Sequence, residues 1–153
     1  GAGWSSHPSS LPRTLGSCTS DATISLIDSS SHFDTIINCA SISDYTPCKK
    51  KGKIPSGQHL TLQFMPTPII NKKLRSKTSL LVGFKLESTK EKIVEKAYSR
   101  LGEQKLDYII ANTLDTLGGD TISLWLIGPD KTTLAKQGTK NDMAEFILRT
   151  IHG

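Results

Sequence analysis

The sequence predicts an α/β fold with three layers, in which a Rossmann-like, mostly parallel sheet carries helices on both faces. One observation is the apolar run at residues 80–84, which is short enough to be a single strand buried on both sides. Another is the amphipathic pattern that follows it, with Ile93, Ala97 and Leu101 spaced four residues apart. A second apolar run at residues 106–112 completes a strand–helix–strand unit, whose two strands pair in parallel.

The limits of this central unit follow from its polar residues. Residues 85–89 are typical of a polar connection between the first strand and the helix. Gly102 can end the helix, because a residue without Cβ reverses the chain at little cost. Ligands of parallel sheets bind at the carboxyl ends of the strands, so we expect Phe84, Glu87 and Asn112 near a ligand crevice.

The remaining elements complete one domain that covers the whole chain. An antiparallel arm is predicted around residues 58–65, where residues 60–65 alternate between apolar and polar. The other predicted segments are, in order, an irregular segment (residues 1–18), a short helix capped by Thr19 or Ser20 and ending at Ile27, a strand at 33–40, a short helix at 69–74, a strand at 121–127, a hairpin turn at 128–131 and an amphipathic helix at 140–151.

Length and composition describe an ordinary small protein of 153 residues, enough for one domain with a real core. Its three cysteines, Cys18, Cys39 and Cys48, show neither a CxxC spacing nor an even count. A disulfide framework or a zinc site is therefore not favoured, and a reducing cytoplasm fits best. No apolar run approaches the ~20 residues that a membrane-spanning helix needs, and no signal-peptide pattern is present.

The net charge of +5 comes with lysine clusters at residues 49–53 and 72–77. Such clusters can be solvated surface, sites for a phosphorylated small molecule or, least favoured, a nucleic-acid surface, because the few aromatic residues do not alternate with the basic ones. The segment 46–57 combines two prolines, two glycines and four lysines, so we expect an exposed, mobile loop. Within it, Lys53 is either a surface lysine or a cation that swings over a reacting phosphate.

Several single residues allow a functional and an ordinary interpretation. Asp44 follows a predicted strand, where it can hold a ribose hydroxyl or a metal ion, or simply form a turn. Glu87 can bind magnesium or begin a helix, and Phe84 can stack on a base or belong to the core. None of the strong signatures GxxxxGK[ST], GxGxxG, HExxH and GxSxG is present, and the four histidines are scattered.

Four segments in order resemble one family, the phosphopantothenate–cysteine ligases that form the carboxyl-terminal half of the bifunctional coenzyme A biosynthesis flavoprotein. The resemblance runs from about Ser6 to the end, and the matching segments are similar to those of archaeal members of the family. The matching segments are NCASISDY (38–45, family AAxxDY), GKIPSG with LTL and PTPII (52–57, 60–62 and 66–70, family GKIxSG…LTL…PTPxII), LVGFKLE (81–87, family LVGFxxE), and residues 97–112 (family AxxKLxxKxLDxIVAN).

The resemblance implies a cytoplasmic enzyme that activates 4′-phosphopantothenate with CTP and magnesium. An acyl-cytidylate and pyrophosphate form, and the amine of cysteine then displaces CMP to give the amide. Eukaryotic relatives use ATP instead, so the nucleotide stays open. No flavin is expected in this chain, although a flavin-dependent decarboxylase is fused to or associated with family members.

The resemblance also implies roles for individual residues. Lys53 would be the mobile catalytic lysine, and Glu87 or Asp44 would be the alternatives for a magnesium ligand. Two family lysines fall on Arg100 and Gln104, and Lys105 could supply the charge that Gln104 lacks. The full predicted nucleotide site is Asn38, Cys39, Ala40, Asp44, Lys53, Pro68, Ile69, Ile70, Phe84, Arg100, Gln104 and Lys105.

Two further expectations concern completeness and assembly. The family begins with a strand, a glycine-rich turn and an SNxSSG segment, which this sequence lacks before Ser6, so we expect an amino-terminally incomplete ligase domain that is inactive or impaired alone. The apolar arm at 58–65 leaves an unpaired strand edge, so we expect a two-fold homodimer through it, as in the family. The alternatives are a nucleotide-binding module without turnover and a basic domain that binds nucleic acid.

Overall fold

The computed structural model describes residues 24, 27–48, 51–54, 56–116 and 118–153. Within these ranges the strands and helices follow one another in the order given next. They are β1 (Phe33–Asn38), β2 (Tyr45–Pro47), β3 (Phe64–Pro66), α1 (Ile70–Leu74), β4 (Thr78–Glu87), α2 (Ile93–Gln104), β5 (Tyr108–Thr113), β6 (Thr121–Ile127), β7 (Thr133–Thr139) and α3 (Lys140–His152), with single 3₁₀ turns at Arg75–Lys77 and Leu114–Thr116.

The main sheet has the strand order β1-β4-β5-β6-β7. Strands β1, β4 and β5 pair in parallel, as the crossover helix α2 requires for β4 and β5. Strand β6 pairs with β5 in antiparallel orientation, and a short turn joins β6 to β7 in an antiparallel hairpin. The predicted α/β class is confirmed, together with the central strand–helix–strand unit and the strand at 121–127.

Apolar residues of the central strands alternate between two helical layers. Leu81 and Ile109 pack with α2 on one face, and Val82 and Ile110 pack with α3 on the other. Successive side chains of a strand point to opposite faces, so a continuous apolar run buries both. The predicted helices on both faces are therefore confirmed.

The central unit extends beyond its predicted limits. Strand β4 continues through Glu87, because residues 85–87 still pair with β5, and the predicted polar connection at 85–89 was wrong in part. Helix α2 does not end at Gly102. It runs to Gln104, which is itself buried, and ends at Lys105, whose φ of 56° lets the N–H of Leu106 donate to the carbonyl of Leu101 at 3.0 Å.

The amino ends of the parallel strands are tied together by Arg75 and Asp107. One carboxylate oxygen of Asp107 accepts from the Arg75 guanidinium and, at 2.7 Å, from the backbone N–H of Leu81. Arg75 also donates to the carbonyls of Thr78 at 2.6 Å and Ser79 at 2.7 Å. This arginine, from the basic cluster at 72–77, is therefore structural, and we call the Arg75–Asp107 pair the amino-end latch.

The predicted arm is an antiparallel ribbon of β2 and β3. Its second strand covers residues 64–66, so the expected strand at 60–65 was too long towards its amino end. Its first strand is Tyr45–Pro47, and the expected loop at 46–57 therefore loses its first two residues to the ribbon. Tyr45, Phe64 and Met65 are exposed, at 60%, 57% and 49%.

Two predictions near the amino terminus can be compared with the structure only in part. The irregular segment 1–18 and most of the helix predicted up to Ile27 lie outside the described residues, while residues 27–29 are helical. Among the described residues, no helix combines the length and apolar character that crossing a bilayer demands.

Candidate functional site

A cleft of about 330 Å³ opens at the carboxyl ends of β1 and β4. Four parts of the chain line it: residue 38 at the end of β1 with residues 40–44 after it, residues 67–71 before and at the start of α1, residues 84–86 in β4, and one face of α2. The cleft lies where parallel strands end, which is the usual ligand position in such sheets.

The cleft brings together most of the residues predicted to bind a nucleotide. They come from four segments that are distant in sequence and meet only because β1 and β4 are neighbours and α2 packs across β4. The predicted residues that line it are Asn38, Ala40, Asp44, Pro68, Ile69, Ile70, Phe84, Arg100 and Gln104.

Three predicted residues lie outside the cleft. Cys39 is exposed, and Lys105 caps α2 with its carbonyl 3.4 Å from the Arg75 guanidinium. Lys105 is therefore in no position to replace the charge that Gln104 lacks. Lys53 lies on a separate small cavity of about 120 Å³ beside Lys51 and His59.

A chain of three side-chain amides forms the deep end of the cleft. The backbone N–H of Ala40 donates to Asn38 Oδ1 at 3.2 Å, and Asn38 Nδ2 donates to Asn71 Oδ1 at 2.6 Å. Asn71 Nδ2 then donates to Gln104 Oε1, also at 2.6 Å. Gln104 is only 9% exposed and Ile70, beside Asn71 in α1, is 6% exposed, so this end is polar but uncharged.

A loose ion pair marks the rim of the cleft. Arg100 Nη2 lies 3.8 Å from Asp44 Oδ1, and the two side chains are 34% and 80% exposed. At this distance and exposure the pair is weak, because water screens it. Either group can therefore leave the pair and bind a charged ligand instead.

Glu87 is held by two lysines. Lys85 Nζ lies 2.8 Å from one carboxylate oxygen and Lys96 Nζ lies 2.7 Å from the other. These hydrogen bonds, that from Lys85 first, lower the pKa of Glu87 below its ordinary value. Glu87 does not line the cleft and both its oxygens are engaged, so the structure does not favour it as a magnesium ligand.

The described part of the chain contains no cluster of three or more histidine, cysteine, aspartate or glutamate side chains that could hold a metal ion by itself. Magnesium is commonly held by one or two carboxylates together with substrate phosphates. Asp44 fits that pattern, because its carboxylate is exposed at the cleft rim. Asn112 lies elsewhere, with its Nδ2 donating to Thr116 Oγ1 at 3.5 Å.

Sequence reasoning missed Asn71, Lys85 and Glu103, which also line the cleft. Glu103 follows Arg100 by three residues and so shares its helix face, a signal that the sequence does contain. Asn71 directly follows the matched segment ending at Ile70, but its partners lie 33 residues away on either side. No local pattern reports such contacts.

The fold and the cleft together define an α/β domain with a polar cleft of small-molecule size at the carboxyl ends of its parallel strands. The cleft volume falls within the usual range for small-molecule sites. The chain belongs to the family described as the DNA/pantothenate metabolism flavoprotein C-terminal domain, whose model matches residues 17–153.

Similar proteins agree with this assignment. The chain is 32% identical over 132 residues to the coenzyme A biosynthesis bifunctional protein CoaBC of Methanocaldococcus jannaschii, covering 82% of this chain and 32% of that protein. It is 31% identical over 118 residues to CoaBC of Thermococcus kodakarensis, covering 74% and 29%. The chain thus spans about a third of these curated relatives.

A solved structure confirms the fold. The DNA/pantothenate metabolism flavoprotein from Streptococcus pneumoniae aligns with a TM-score of 0.67 and 26% identity, covering 88% of this chain and 67% of that one. The resemblance to the carboxyl-terminal part of the coenzyme A flavoprotein, and its archaeal style, are therefore confirmed.

Proposed function

We propose that the protein is a phosphopantothenate–cysteine ligase domain that uses CTP or ATP. One observation carries the proposal: a single cleft collects residues from all four segments that resemble the ligases. The family and the CoaBC relatives support the same activity. The substrates would be 4′-phosphopantothenate, cysteine and the nucleotide, in the cytoplasm.

The charge distribution in the cleft supports one orientation for the nucleotide. The base would occupy the deep end, where the amides of Asn71 and Gln104 are polar but uncharged. The triphosphate would stay at the rim, where Arg100 exchanges Asp44 for phosphate oxygens. Burying a neutral ring costs far less than burying a polyphosphate, so the reverse orientation is disfavoured.

The rim would then support the first chemical step. A carboxylate oxygen of phosphopantothenate attacks the α-phosphorus of the nucleotide and forms a bond to it. The bond from this phosphorus to the oxygen that bridges to the β-phosphate breaks, and pyrophosphate leaves. Asp44, released by Arg100, can hold a ribose hydroxyl or a phosphate-bound magnesium ion, which would neutralise phosphate charge. In the second step the amine of cysteine attacks the acyl carbon, loses a proton and displaces the nucleoside monophosphate.

Lys53 would act from the loop after the ribbon strand β2. Its ammonium lies outside the cleft, so the loop must close before it meets a phosphate. An interaction made chiefly in the transition state raises the rate without tightening ground-state binding. Lys53 is therefore proposed as the catalytic lysine, and residues 51–54 as the part of the loop that moves with it.

The activity is tested on the domain extended by the family's amino-terminal strand and SNxSSG segment, incubated with Mg²⁺, cysteine, 4′-phosphopantothenate and either CTP or ATP. Mass spectrometry should detect phosphopantothenoylcysteine together with pyrophosphate and the matching nucleoside monophosphate. Nucleotide binding without product would support a non-catalytic nucleotide-binding module. Absence of nucleotide binding would contradict the ligase assignment and the module alike.

Replacing the loop lysine is the sharpest test of its role. In the protein extended by the family's amino-terminal unit, Lys53→Gln should lower turnover by roughly 10²- to 10³-fold while nucleotide affinity changes by less than about 3-fold. Lys51→Gln is the matched control, because Lys51 lies on the same small cavity. Equal losses from both variants would show a diffuse positive field and no special role for Lys53.

The ribbon of β2 and β3 is proposed as the contact of a two-fold homodimer. Its exposed Tyr45, Phe64 and Met65, with Leu62 at 43% exposure beside them, leave apolar surface at an unpaired edge. Light scattering should give twice the chain mass of 16.7 kDa, and Leu62→Asp should weaken the dimer far more than it weakens folding of the monomer. A wild-type monomer at micromolar concentration would contradict the dimer.

A further inference from the structure

The amide chain at the deep end of the cleft has a fixed direction. A backbone N–H can only donate, so Ala40 obliges Asn38 to present its oxygen, at 3.2 Å. The Asn38 nitrogen must then meet the oxygen of Asn71, and the Asn71 nitrogen must meet the oxygen of Gln104. One backbone group therefore sets the orientation of all three amides.

The amide chain ends on the side-chain nitrogen of Gln104. Its Oε1 is occupied by Asn71, and no other described residue accepts a hydrogen bond from its Nε2. The side chain belongs to a residue that is nine-tenths buried and lines the cleft. The position therefore offers N–H donors without a formal charge.

Gly83 of β4 lies between Leu106 and the Asn71 amide. A Cβ at Gly83 would lie 2.7 Å from Leu106 Cδ1 and 3.5 Å from Asn71 Nδ2. The first distance is too short for two carbon atoms, so a side chain at position 83 would displace Leu106, whereas the second is an ordinary van der Waals contact. The Asn71 amide therefore packs directly against the backbone of β4.

We infer that Asn71 is a positioning residue that holds the Gln104 amide with its nitrogen towards the cleft, so that the deep end receives a ligand through an acceptor atom. A carbonyl oxygen or an unprotonated ring nitrogen of a nucleobase has this chemistry. An amide can rotate and present either its oxygen or its nitrogen, so it must be held in place, whereas an ammonium only donates. This inference rests on the proposed nucleotide-binding function.

The test reverses the direction of the hydrogen bond between position 71 and Gln104. Asn71→Asp offers only acceptors, so Gln104 must rotate to donate to it, and its oxygen then faces the acceptor of the ligand. Calorimetric affinity for Mg-CTP or Mg-ATP should fall by roughly 10- to 50-fold. Adding Gln104→Lys should restore most of the affinity, because an ammonium can donate to the introduced carboxylate and to the ligand together.

A matched variant separates orientation from charge. Glu103→Gln raises the net charge of the cleft by one, as Gln104→Lys does, but it leaves the amide chain unchanged. Asn71→Asp with Glu103→Gln should therefore stay weak. Equal rescue by both changes, or an undiminished affinity of Asn71→Asp, would overturn the role of Asn71 alone. Failure of the wild-type protein to bind either nucleotide would overturn this role and the proposed function together.

A measurement on the wild-type protein does not depend on how the variants fold. The Nε2 protons of Gln104 should shift in the ¹⁵N-correlated NMR spectrum when Mg-CTP or Mg-ATP is added, because they gain the ligand acceptor. The Nδ2 protons of Asn38 and Asn71 should shift less, since their partners are within the protein. Bound nucleotide with an unmoved Gln104 signal would overturn the inference.

Discussion

The two ends of the parallel strands each carry an arginine–aspartate pair, and the pairs differ in how completely they are satisfied. At the amino end, Arg75 and Asp107 also bond the backbone groups of Thr78, Ser79 and Leu81. At the carboxyl end, Arg100 and Asp44 stand 3.8 Å apart and Asp44 is 80% exposed.

The difference separates a pair that is engaged within the protein from one that is open to a ligand. In the amino-end latch, the Arg75 guanidinium and one Asp107 oxygen already bond several groups of the protein, so a ligand would gain little there. The rim pair is weak on its own and sits over a cleft whose deep end carries an oriented amide. Residue type alone does not mark a functional site; hydrogen-bonding capacity that the fold leaves unused does.

The largest expected effect comes from breaking the latch. Asp107→Ala removes the acceptor of the Leu81 N–H and the carboxylate partner of Arg75, so the free energy of unfolding should fall by about 2–4 kcal/mol. Urea denaturation measures this loss. Nucleotide affinity of the folded protein should stay within about 2-fold of wild type. A loss of affinity with unchanged stability would erase the contrast between the two ends.

The opposite pattern is expected at the rim. Arg100→Ala should lower nucleotide affinity by about 10-fold, since a phosphate contact is lost, while stability changes by no more than about 0.5 kcal/mol. Arg149→Ala is the control, because Arg149 forms an exposed surface pair with Glu145 at 3.4 Å and neither residue lines the cleft. If the two variants bind nucleotide equally well, Arg100 is an ordinary surface residue.

The smallest effect concerns Glu87, a carboxyl-end residue whose oxygens are already satisfied. Its pKa lies below the ordinary value of 4.5, so its contribution to stability is present above about pH 4.5 and is lost as the pH falls through the lowered pKa. Glu87→Gln should therefore destabilise slightly at pH 7, and the difference from wild type should shrink as the pH falls below about 4. A difference that grows on acidification would contradict this pairing.

The central unit was predictable because its signals are local. The apolar run of β4 and the four-residue spacing in α2 depend only on near neighbours in sequence. Strand β7 gave no comparable signal, since five of its seven residues are exposed. The length of α2 was also missed, because it depends on Leu106 entering the core after the turn at Lys105.

The candidate site was likewise predictable only where its residues lie in contiguous segments of the sequence. The resemblance supplied the cleft members that lie in contiguous matched segments, such as Asp44 and Phe84. It could not supply Asn71, whose role comes from contacts 33 residues away in each direction. Nor could it show that Lys105 lies outside the cleft, which depends on how α2 ends.

A single titration compares the two ends directly. Mg-CTP and Mg-ATP are added separately to ¹⁵N-labelled protein, and backbone amide shifts are followed by NMR. Shifts should concentrate at residues 38–44, 69–71, 84–86 and 100–104, while Arg75, Leu81 and Asp107 at the latch stay nearly unmoved. Shifts centred on the latch, or no response to either nucleotide at millimolar concentration, would contradict a nucleotide site at the carboxyl ends of the strands.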